Sequence, residues 1–201
     1  MKFININCIL CLVFMTFWGM GINQSFAQRV VTFGPEETKI KGSIAYTELG
    51  KYRAQFDAFK GRITLNDNLQ KIQSVYLVID VKSIHSNCSW CDKMARSRRL
   101  LNAARYPKIV FKSDQIIKDA RGYQVKGILE MHGIKKGMIF PFKVVNFIDQ
   151  RTKHQWLDIS GTWNINRKDF NIIWSKTLDH GGILVGDIFT VDWAIRIVHR
   201  S

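Results

Sequence analysis

YQVKGILEMH, residues 123–132, is the stretch that decides the fold. Every second residue from Tyr123 to Met131 is apolar or glycine, whereas Gln124, Lys126 and Glu130 occupy alternate positions. Because successive side chains of a strand point to opposite faces, this period of two predicts a strand with one buried face. One apolar and one polar face is typical of antiparallel sheet.

The same period recurs along most of the chain after residue 28. It covers residues 74–82, 156–165 and 189–198, with shorter candidates at 53–59, 61–65, 109–113 and 138–147. A single short helix is predicted from Asp92, which can cap it, to Leu101, and Pro107 blocks its continuation. About eight strands and one helix predict an all-β domain that is a closed barrel or a sandwich. Gly127 and Gly161, inside strands, fit the bends or bulges of a curved sheet.

The first 27 residues resemble a secretory signal. Lys2 precedes an apolar run from about Ile9 to Met20, and the small residues Ser25 and Ala27 precede Gln28. This order predicts export, with cleavage near Ala27 and a periplasmic or secreted domain at residues 28–201. An uncleaved anchor is the alternative, but the apolar run is shorter than the ~20 residues that a bilayer requires.

The charge of the chain is strongly positive. Without residues 1–27, which contain one Lys and no acidic residue, 29 Lys and Arg stand against 16 Asp and Glu, a net charge of +13. Such an excess favours anionic partners, among them membrane surfaces and phosphorylated lipid heads, although exported proteins are also basic for solubility alone.

Two cysteines, Cys88 and Cys91, lie in the motif HSNCSWCDK, residues 85–93. Haem attachment requires Cys-x-x-Cys-His, and residue 92 is Asp. A thiol redox centre and a metal site that uses His85 with both cysteines are open alternatives. A disulfide is favoured because export leaves this one pair in an oxidising compartment. It would stiffen the loop that leads to the helix near the barrel mouth.

No residue pattern predicts catalysis. No Ser/His/Asp arrangement, paired carboxylates or phosphate-binding glycine loop has a convincing spacing. His132, at a turn, is explained by a hydrogen bond to the backbone. The chain is therefore predicted not to be an enzyme and to hold neither a metal nor a cofactor.

Five segments resemble the YceI-like lipid/polyisoprenoid-binding proteins of bacteria. They are VYLVIDVKSIHS (75–86), DKMARSRRLLNAARYPKIVFKS (92–113), YQVKGILEMHGIKKGMIFPF (123–142), INRKDF (165–170) and VGDIFTVDWAIRI (185–197). Three departures accompany the resemblance. Met94 and Ala95 stand where the family usually has His and Leu, Asn171 stands where it usually has Gly, and the cysteine pair is not a general family feature.

The resemblance implies a single antiparallel lipocalin-like barrel of eight strands, with one short helix near its mouth, that holds a polyisoprenoid or similar amphiphilic chain. Together with the periodicity, it predicts these lumen residues: Phe56, Leu77, Ile79, Phe111, Leu129, Met131, Phe140, Phe142, Trp163, Phe189 and Trp193. Arg167 of the NRKDF motif is predicted either to pair with Asp169 or to contact a polar ligand head.

The expected partner is therefore a lipid or isoprenoid molecule, bound for storage or transport. An anionic membrane surface is a further expected partner, and no nucleic-acid partner is predicted. The alternatives are a basic module that binds polyanions or anionic membrane, and a thiol or metal protein that uses Cys88 and Cys91. The sequence leaves the oligomeric state open, a homodimer included.

Overall fold

The structure is a computed structural model that describes residues 28–36, 38–46, 50–66, 71–120, 122–151, 154–175 and 185–199. The predicted signal peptide, residues 1–27, lies outside these residues. Within the described ranges, no helix combines the length and the apolar character needed to cross a bilayer.

Antiparallel strands dominate the described chain. The strands are β1 (Gln28–Phe33), β2 (Thr38–Tyr46), β3 (Gly50–Phe56), β4 (Phe59–Asn66), β5 (Ile72–Asp80), β6 (Ile84–His85), β7 (Lys108–Asp119), β8 (Gly122–Met131), β9 (Ile134–Ile148), β10 (Gln155–Asn166) and β11 (Ile188–His199). Helix α1 spans Ser89–Arg96, and two short 3-10 helices span Val81–Ser83 and Arg167–Phe170.

The sheet has eleven described segments where eight strands were predicted, because β1, β2 and the two-residue β6 were not among the predicted strands. β1 pairs with β4, and β4 pairs with β5. In the same way β2 pairs with β3, and β3 pairs with β6. From β5, the successive paired neighbours in the sheet are β7, β8, β9, β10, β11 and β2. The sheet thus runs from β1 round to β2, and only four residues separate the end of β1 from the start of β2, so the sheet curls on itself and the predicted antiparallel barrel architecture is confirmed.

Alternation places the apolar residues inside this barrel. In β4 and in the middle of β10, buried residues such as Ile63 and Leu157 alternate with more exposed ones. Gly127 lies where the β7–β8 register shifts, and a Cβ there would lie 2.4 Å from the Lys112 carbonyl oxygen. The predicted bend at Gly127 is therefore a bulge that only glycine accommodates.

Neighbouring strands part at two places in the wall. Residues 134–142 of β9 pair with β8, whereas residues 143–148 pair with β10. The first part of β9 is therefore not paired with residues 161–166 of β10. We call this the β9–β10 gap. On the other side of the barrel, β6 pairs only with Gln55 and Phe56, so no described strand adds to residues 50–54 of β3. We call the space between these residues and residues 85–91 the β3–β6 gap.

Helix α1 begins earlier than predicted. Cys88 occupies its N-cap position, where the sulfur accepts from the Cys91 amide at 3.2 Å, and Asp92 lies within the helix. Asp92 is only 4% exposed. Its carboxylate is therefore used to anchor α1 to the barrel rather than to cap it. The predicted end at Leu101 was also wrong, because residues after Arg96 form turns that lead to Pro107.

Candidate functional site

The barrel encloses an apolar cavity of about 150 Å³. Its described lining residues come from strands on all sides of the barrel, together with Leu101, which follows α1. None of these side chains carries a charge, and only Thr38, Ser43, Tyr52 and the two indoles Trp163 and Trp193 offer polar groups. Such a lining suits a hydrocarbon and penalises an ionised group.

Most of the predicted lumen residues line this cavity. They are Phe56, Leu77, Ile79, Phe111, Leu129, Met131, Phe142, Trp163, Phe189 and Trp193. The same alternation also selects lining residues that were not predicted, among them Ile40, Ile63 and Val191. Periodicity thus identified which face of each strand points inward.

Phe140 is buried but does not line the cavity. Its ring stacks on the Trp163 indole, with 4.2 Å between ring centroids and an interplanar angle of 8°. The Trp163 indole in turn donates from Nε1 to the Pro141 carbonyl oxygen at 3.1 Å and contacts Phe111 and Trp193. Trp163 therefore occupies the lining position, and Phe140 packs behind it.

The size of the cavity limits what fits without rearrangement. An engineered protein cavity of about 150 Å³ accepts benzene, so this space holds about one five-carbon prenyl unit. A second apolar pocket of about 60 Å³ lies under α1 and shares Ile44, Tyr52, Ile84, Leu101 and Phe189 with the cavity. A longer chain would use both spaces and displace half-buried lining residues such as Leu77 and Val191.

Arg167 is buried, but it neither lines the cavity nor pairs with Asp169. Nε donates to the Gly186 carbonyl oxygen, Nη1 to those of Ile172 and Trp174, and Nη2 to the Val185 carbonyl and Asp187. All five N–H donors have acceptors, so none is left for a ligand head. The predicted pair between Arg167 and Asp169 was therefore wrong.

The neighbouring residues of the same motif close the β9–β10 gap. Asp169 forms an ion pair with Lys136 of β9 at 2.7 Å, and His132 Nδ1 lies 3.0 Å from the Phe170 carbonyl oxygen. The backbone hydrogen bond expected for His132 is therefore present, and burial lowers the pKa of its imidazole. Asn171, where the family usually has Gly, has a φ of 56°. Asn tolerates this left-handed conformation better than most residues.

The cysteine pair forms a disulfide at the start of α1, with 5.2 Å between the two Cα atoms. This bond removes the thiolates that the metal alternative requires of Cys88 and Cys91. In the described part of the chain, no three His, Cys, Asp or Glu side chains are grouped as metal ligands would be. The pair lies beside the β3–β6 gap.

A hydrogen-bond network ties α1 to β3 across the β3–β6 gap. The Tyr52 hydroxyl donates to Asp92 at 2.7 Å, and Ser86 donates to the same carboxylate from its hydroxyl at 2.6 Å and its amide at 3.1 Å. Burial acts to raise the pKa of Asp92, but the bonds from Ser86 and Tyr52 outweigh it and the pKa is lowered. Burial, followed by the bond to Asp92, raises the pKa of Tyr52.

Outside this network, a groove of about 950 Å³ runs along the β3–β6 gap. One wall contains the outward residues Lys41, Ser43, Lys51, Arg53 and Gln55, and the other contains residues 85–88 and Cys91. We call it the cationic groove. Tyr52 lines the groove, the cavity and the pocket under α1, so the three spaces meet at this side chain.

The Tyr52–Asp92 network was not predicted from the sequence. Asp92 was singled out, but as a helix cap, and Tyr52 occupies an ordinary inward position of an alternating strand. The available signal was the polar hydroxyl of Tyr52 at a position that alternation assigns to the apolar interior. Its partner is 40 residues away, and local patterns do not pair residues at that distance.

Comparisons with known proteins agree with this geometry. Residues 31–197 match the model of the YceI-like domain. A UPF0312 protein of Yersinia enterocolitica is 30% identical over 117 residues, which cover 58% of this chain and 61% of that relative. The matched part thus spans about three fifths of the length of that relative.

Two solved structures share the fold. BcnA of Burkholderia cenocepacia has a TM-score of 0.66 at 19% identity, with 81% of this chain and 97% of that chain covered. A polyisoprenoid binding domain from Saccharophagus degradans, implicated in plant cell wall breakdown, has a TM-score of 0.57 at 12% identity, with 87% and 100% covered. The family model covers most of the chain, and this chain therefore belongs to the YceI-like domain family.

Proposed function

We propose that this protein binds a polyisoprenoid or similar amphiphilic chain in its barrel, for storage or transport and without catalysis. The observation that carries the proposal is the apolar cavity, whose described lining contains no charged side chain. The structural likeness to a polyisoprenoid binding domain supports the same ligand class.

The energetics of burial are sufficient for such binding. Each buried methylene contributes about 0.8 kcal/mol, so one five-carbon prenyl unit contributes roughly 4 kcal/mol as an upper bound. Association and ordering of the ligand cost an estimated 4–15 kcal/mol. Three or four units therefore give measurable affinity without any charged contact, once half-buried lining residues such as Leu77 and Val191 have moved to admit more than the one unit that the cavity holds.

The proposal includes export and excludes a resident metal or cofactor. The signal-like residues 1–27 support a periplasmic or secreted location, where a soluble carrier would shield an isoprenoid from water. The cysteine pair, joined as a disulfide, is assigned a structural role at the start of α1 rather than a redox reaction.

The test has two parts. Protein purified from its native host is extracted with organic solvent, and the extract is analysed by mass spectrometry for prenyl or fatty chains. The delipidated protein is then titrated with farnesol and followed by calorimetry. We expect a co-purified chain and saturable, nearly salt-independent binding of farnesol.

A substitution inside the cavity supplies the control. Leu77→Trp places a large ring in the cavity and should weaken farnesol binding at least tenfold, whereas Ile139→Trp, on the outer face of β9, should leave it unchanged. An empty extract, together with no farnesol binding by the wild-type protein, would contradict the proposal. Binding that Leu77→Trp does not weaken would place the ligand outside the barrel.

A further inference from the structure

We propose that the outer surface beside α1 docks on an anionic lipid bilayer. This surface, which we call the docking face, consists of Trp90 and Lys93 of α1, Arg98 and Arg99 of the turn that follows α1, and Ile173 and Trp174 of the segment that follows the second 3-10 helix. The inference does not rest on the proposed function, because none of these six side chains lines the cavity.

Helix α1 directs an indole and an ammonium group towards solvent. Asp92 and Ala95 are the buried residues of this helix, whereas the side chain of Trp90 is 57% exposed. Lys93 follows Trp90 by three positions, so the two residues share a helix face, and Lys93 is exposed as well. An exposed indole beside a cation is typical of surfaces that contact the interfacial region of a bilayer.

The turn after α1 adds two guanidinium groups to the docking face. The Leu100 amide donates to the Ser97 carbonyl oxygen at 3.1 Å, so Arg98 and Arg99 are the two central residues of a tight turn. Both arginines are exposed, and neither forms an ion pair with a described residue. Leu100 and Trp90 line the same pocket under α1, which places the turn beside the indole.

The segment after the second 3-10 helix adds apolar surface that the backbone holds in place. The side chain of Ile173 is 66% exposed. The carbonyl groups on either side of it, at residues 172 and 174, accept hydrogen bonds from the buried Arg167. The exposure of Ile173 is therefore imposed by an anchored backbone. The Arg99 guanidinium lies 5.6 Å from the centre of the Trp174 ring, so this segment adjoins the turn.

Acidic groups do not cancel the charge of the docking face. Residues 89–99 contain four Lys or Arg residues and one acidic residue, Asp92, and residues 171–175 contain no charged residue. The Asp92 carboxylate is buried and accepts from Tyr52 and Ser86. Asp169, which precedes the second segment, pairs with Lys136 at 2.7 Å. Each Lys or Arg close to an anionic bilayer increases the affinity about fivefold, so the exposed cations of this face suffice for measurable binding.

A bilayer fits the docking face better than a soluble polyanion does. A polyanion would contact the cations but would offer nothing to the exposed side chain of Ile173. At a bilayer, the anionic lipid heads contact the guanidinium and ammonium groups, and Trp90 and Ile173 enter the apolar region below the heads. The partner therefore has to supply negative charge and apolar depth together.

The test is binding to vesicles of phosphatidylglycerol mixed in equal parts with phosphatidylcholine, measured by flotation. Vesicles of phosphatidylcholine alone are the reference, and we expect the wild-type protein to bind them much more weakly. Arg98→Gln/Arg99→Gln should lower the affinity for the mixed vesicles about tenfold or more, and raising the salt concentration should lower it as well. Wild-type protein that does not bind the mixed vesicles would overturn the proposal.

The apolar part of the docking face is tested separately. Trp90→Ser/Ile173→Ser should lower the affinity for the mixed vesicles about fivefold or more, because less apolar area enters the bilayer. Heparin is the soluble polyanion for comparison. If Arg98→Gln/Arg99→Gln weakens heparin and vesicles equally while Trp90→Ser/Ile173→Ser weakens neither, the face binds soluble polyanions and the bilayer is overturned as its partner.

Matched variants elsewhere on the barrel control for charge and exposure. Lys112→Gln/Lys126→Gln removes two exposed cations from the outer face of β7 and β8, and Ile139→Ser removes an exposed apolar side chain from β9. Both variants should bind the mixed vesicles like the wild type. Equal losses in Lys112→Gln/Lys126→Gln and Arg98→Gln/Arg99→Gln would overturn the docking face and attribute binding to net charge.

Trp90 also supplies a signal that is independent of affinity. Brominated phosphatidylcholine in the mixed vesicles quenches the fluorescence of tryptophans that enter the bilayer. We expect quenching in the wild-type protein and much less in Trp90→Phe, which keeps an aromatic ring, an intact fold and vesicle binding. Undiminished quenching in Trp90→Phe would mean that another surface faces the bilayer and would overturn the proposal. Farnesol binding is measured without vesicles, so failure of the docking face and failure of the cavity function are distinguishable.

Discussion

The barrel wall parts at two places, and the two are closed in different ways. The β9–β10 gap is closed by large buried groups: the Trp163 indole stacked on Phe140, and Phe170, which is fully buried. The β3–β6 gap is bridged by one hydrogen bond from Tyr52 to Asp92, with the short disulfide loop beside it. The side chains that close the β9–β10 gap belong to the hydrophobic core, whereas the β3–β6 gap adjoins a groove that is open to solvent.

The difference indicates which gap can serve as an entrance. To open the β9–β10 gap, the stacked rings of Trp163 and Phe140 must be exposed to water, which is strongly unfavourable. To open the β3–β6 gap, a tyrosine hydroxyl must exchange one carboxylate partner for water, which costs little.

The largest expected effect is that of Arg167→Met, in the short 3-10 helix that follows β10. The substitution keeps a long apolar stem but leaves four carbonyl groups and Asp187 without their donor. We expect the free energy of unfolding to fall by about 3–5 kcal/mol, because several carbonyl groups around the buried side chain lose their hydrogen-bond donor at once. Urea unfolding followed by tryptophan fluorescence measures the change.

Lys168→Met is the matched control for this prediction. Lys168 also pairs with Asp187, at 2.7 Å, but its side chain is 52% exposed. Exposed ion pairs contribute about 0–1 kcal/mol, so this variant should unfold nearly like the wild type. Equal losses in the two variants would mean that the burial of Arg167 has no special role.

The second prediction concerns Gly161, the first residue of β10 beyond its last pair with β9. A Cβ at this position would lie 2.9–3.0 Å from three atoms of the Trp193 indole. Gly161→Ala should therefore displace the ring and lower the free energy of unfolding by about 1–3 kcal/mol. Gly137→Ala, where a Cβ meets nothing within 4 Å, should be neutral or slightly stabilising. A stable Gly161→Ala variant would show that Trp193 has room to move.

The sequence was most informative where structure depends on local alternation. The strands, the inward face of each strand and most of the cavity lining follow from a period of two, because burial of one face is a local property of the strand. The number of strands was not predicted correctly, because β1, β2 and the two-residue β6 were not among the eight predicted segments. The division between β3 and β4 was predicted in outline, as separate strands at residues 53–59 and 61–65, whereas the short strand β6 after β5 was not.

The polar contacts were predicted poorly for a related reason. Arg167 was recognised as important, but its acceptors are backbone carbonyls at residues 172, 174, 185 and 186, which have no side-chain signature. Tyr52 and Asp92 are 40 residues apart and meet only after the barrel has closed. Contacts of this kind depend on the tertiary path of the chain, and a single sequence records that path only through a family resemblance.

The third prediction concerns the disulfide at the β3–β6 gap. Replacing both Cys88 and Cys91 by Ser should lower the free energy of unfolding by about 2 kcal/mol, because the closed loop is very short. Amide hydrogen exchange should become faster in residues 85–92 and remain unchanged in residues 132–142. Faster exchange on both sides of the barrel would mean that the disulfide stabilises the whole fold rather than this gap.

The smallest expected effect is that of Tyr52→Phe, which removes the bond across the β3–β6 gap and keeps the ring. At pH 7 the free energy of unfolding should fall by about 1.5 kcal/mol, since the lost acceptor is ionised. Tyr76→Phe, on the outer face of β5, is the control and should have no effect.

The loss of unfolding free energy in Tyr52→Phe should depend on pH. The pKa of Asp92 is lowered in the folded protein from the ordinary value of 3.8, so the stability that its ionised form contributes is complete above that value. This contribution is lost as the pH falls through the lower pKa of the folded state. Without the Tyr52 bond that pKa should rise towards 3.8, so the difference between wild type and Tyr52→Phe should shrink below about pH 4. A difference that stays constant between pH 7 and pH 2 would mean that the effect of Tyr52→Phe does not come from the loss of the hydrogen bond to the Asp92 carboxylate.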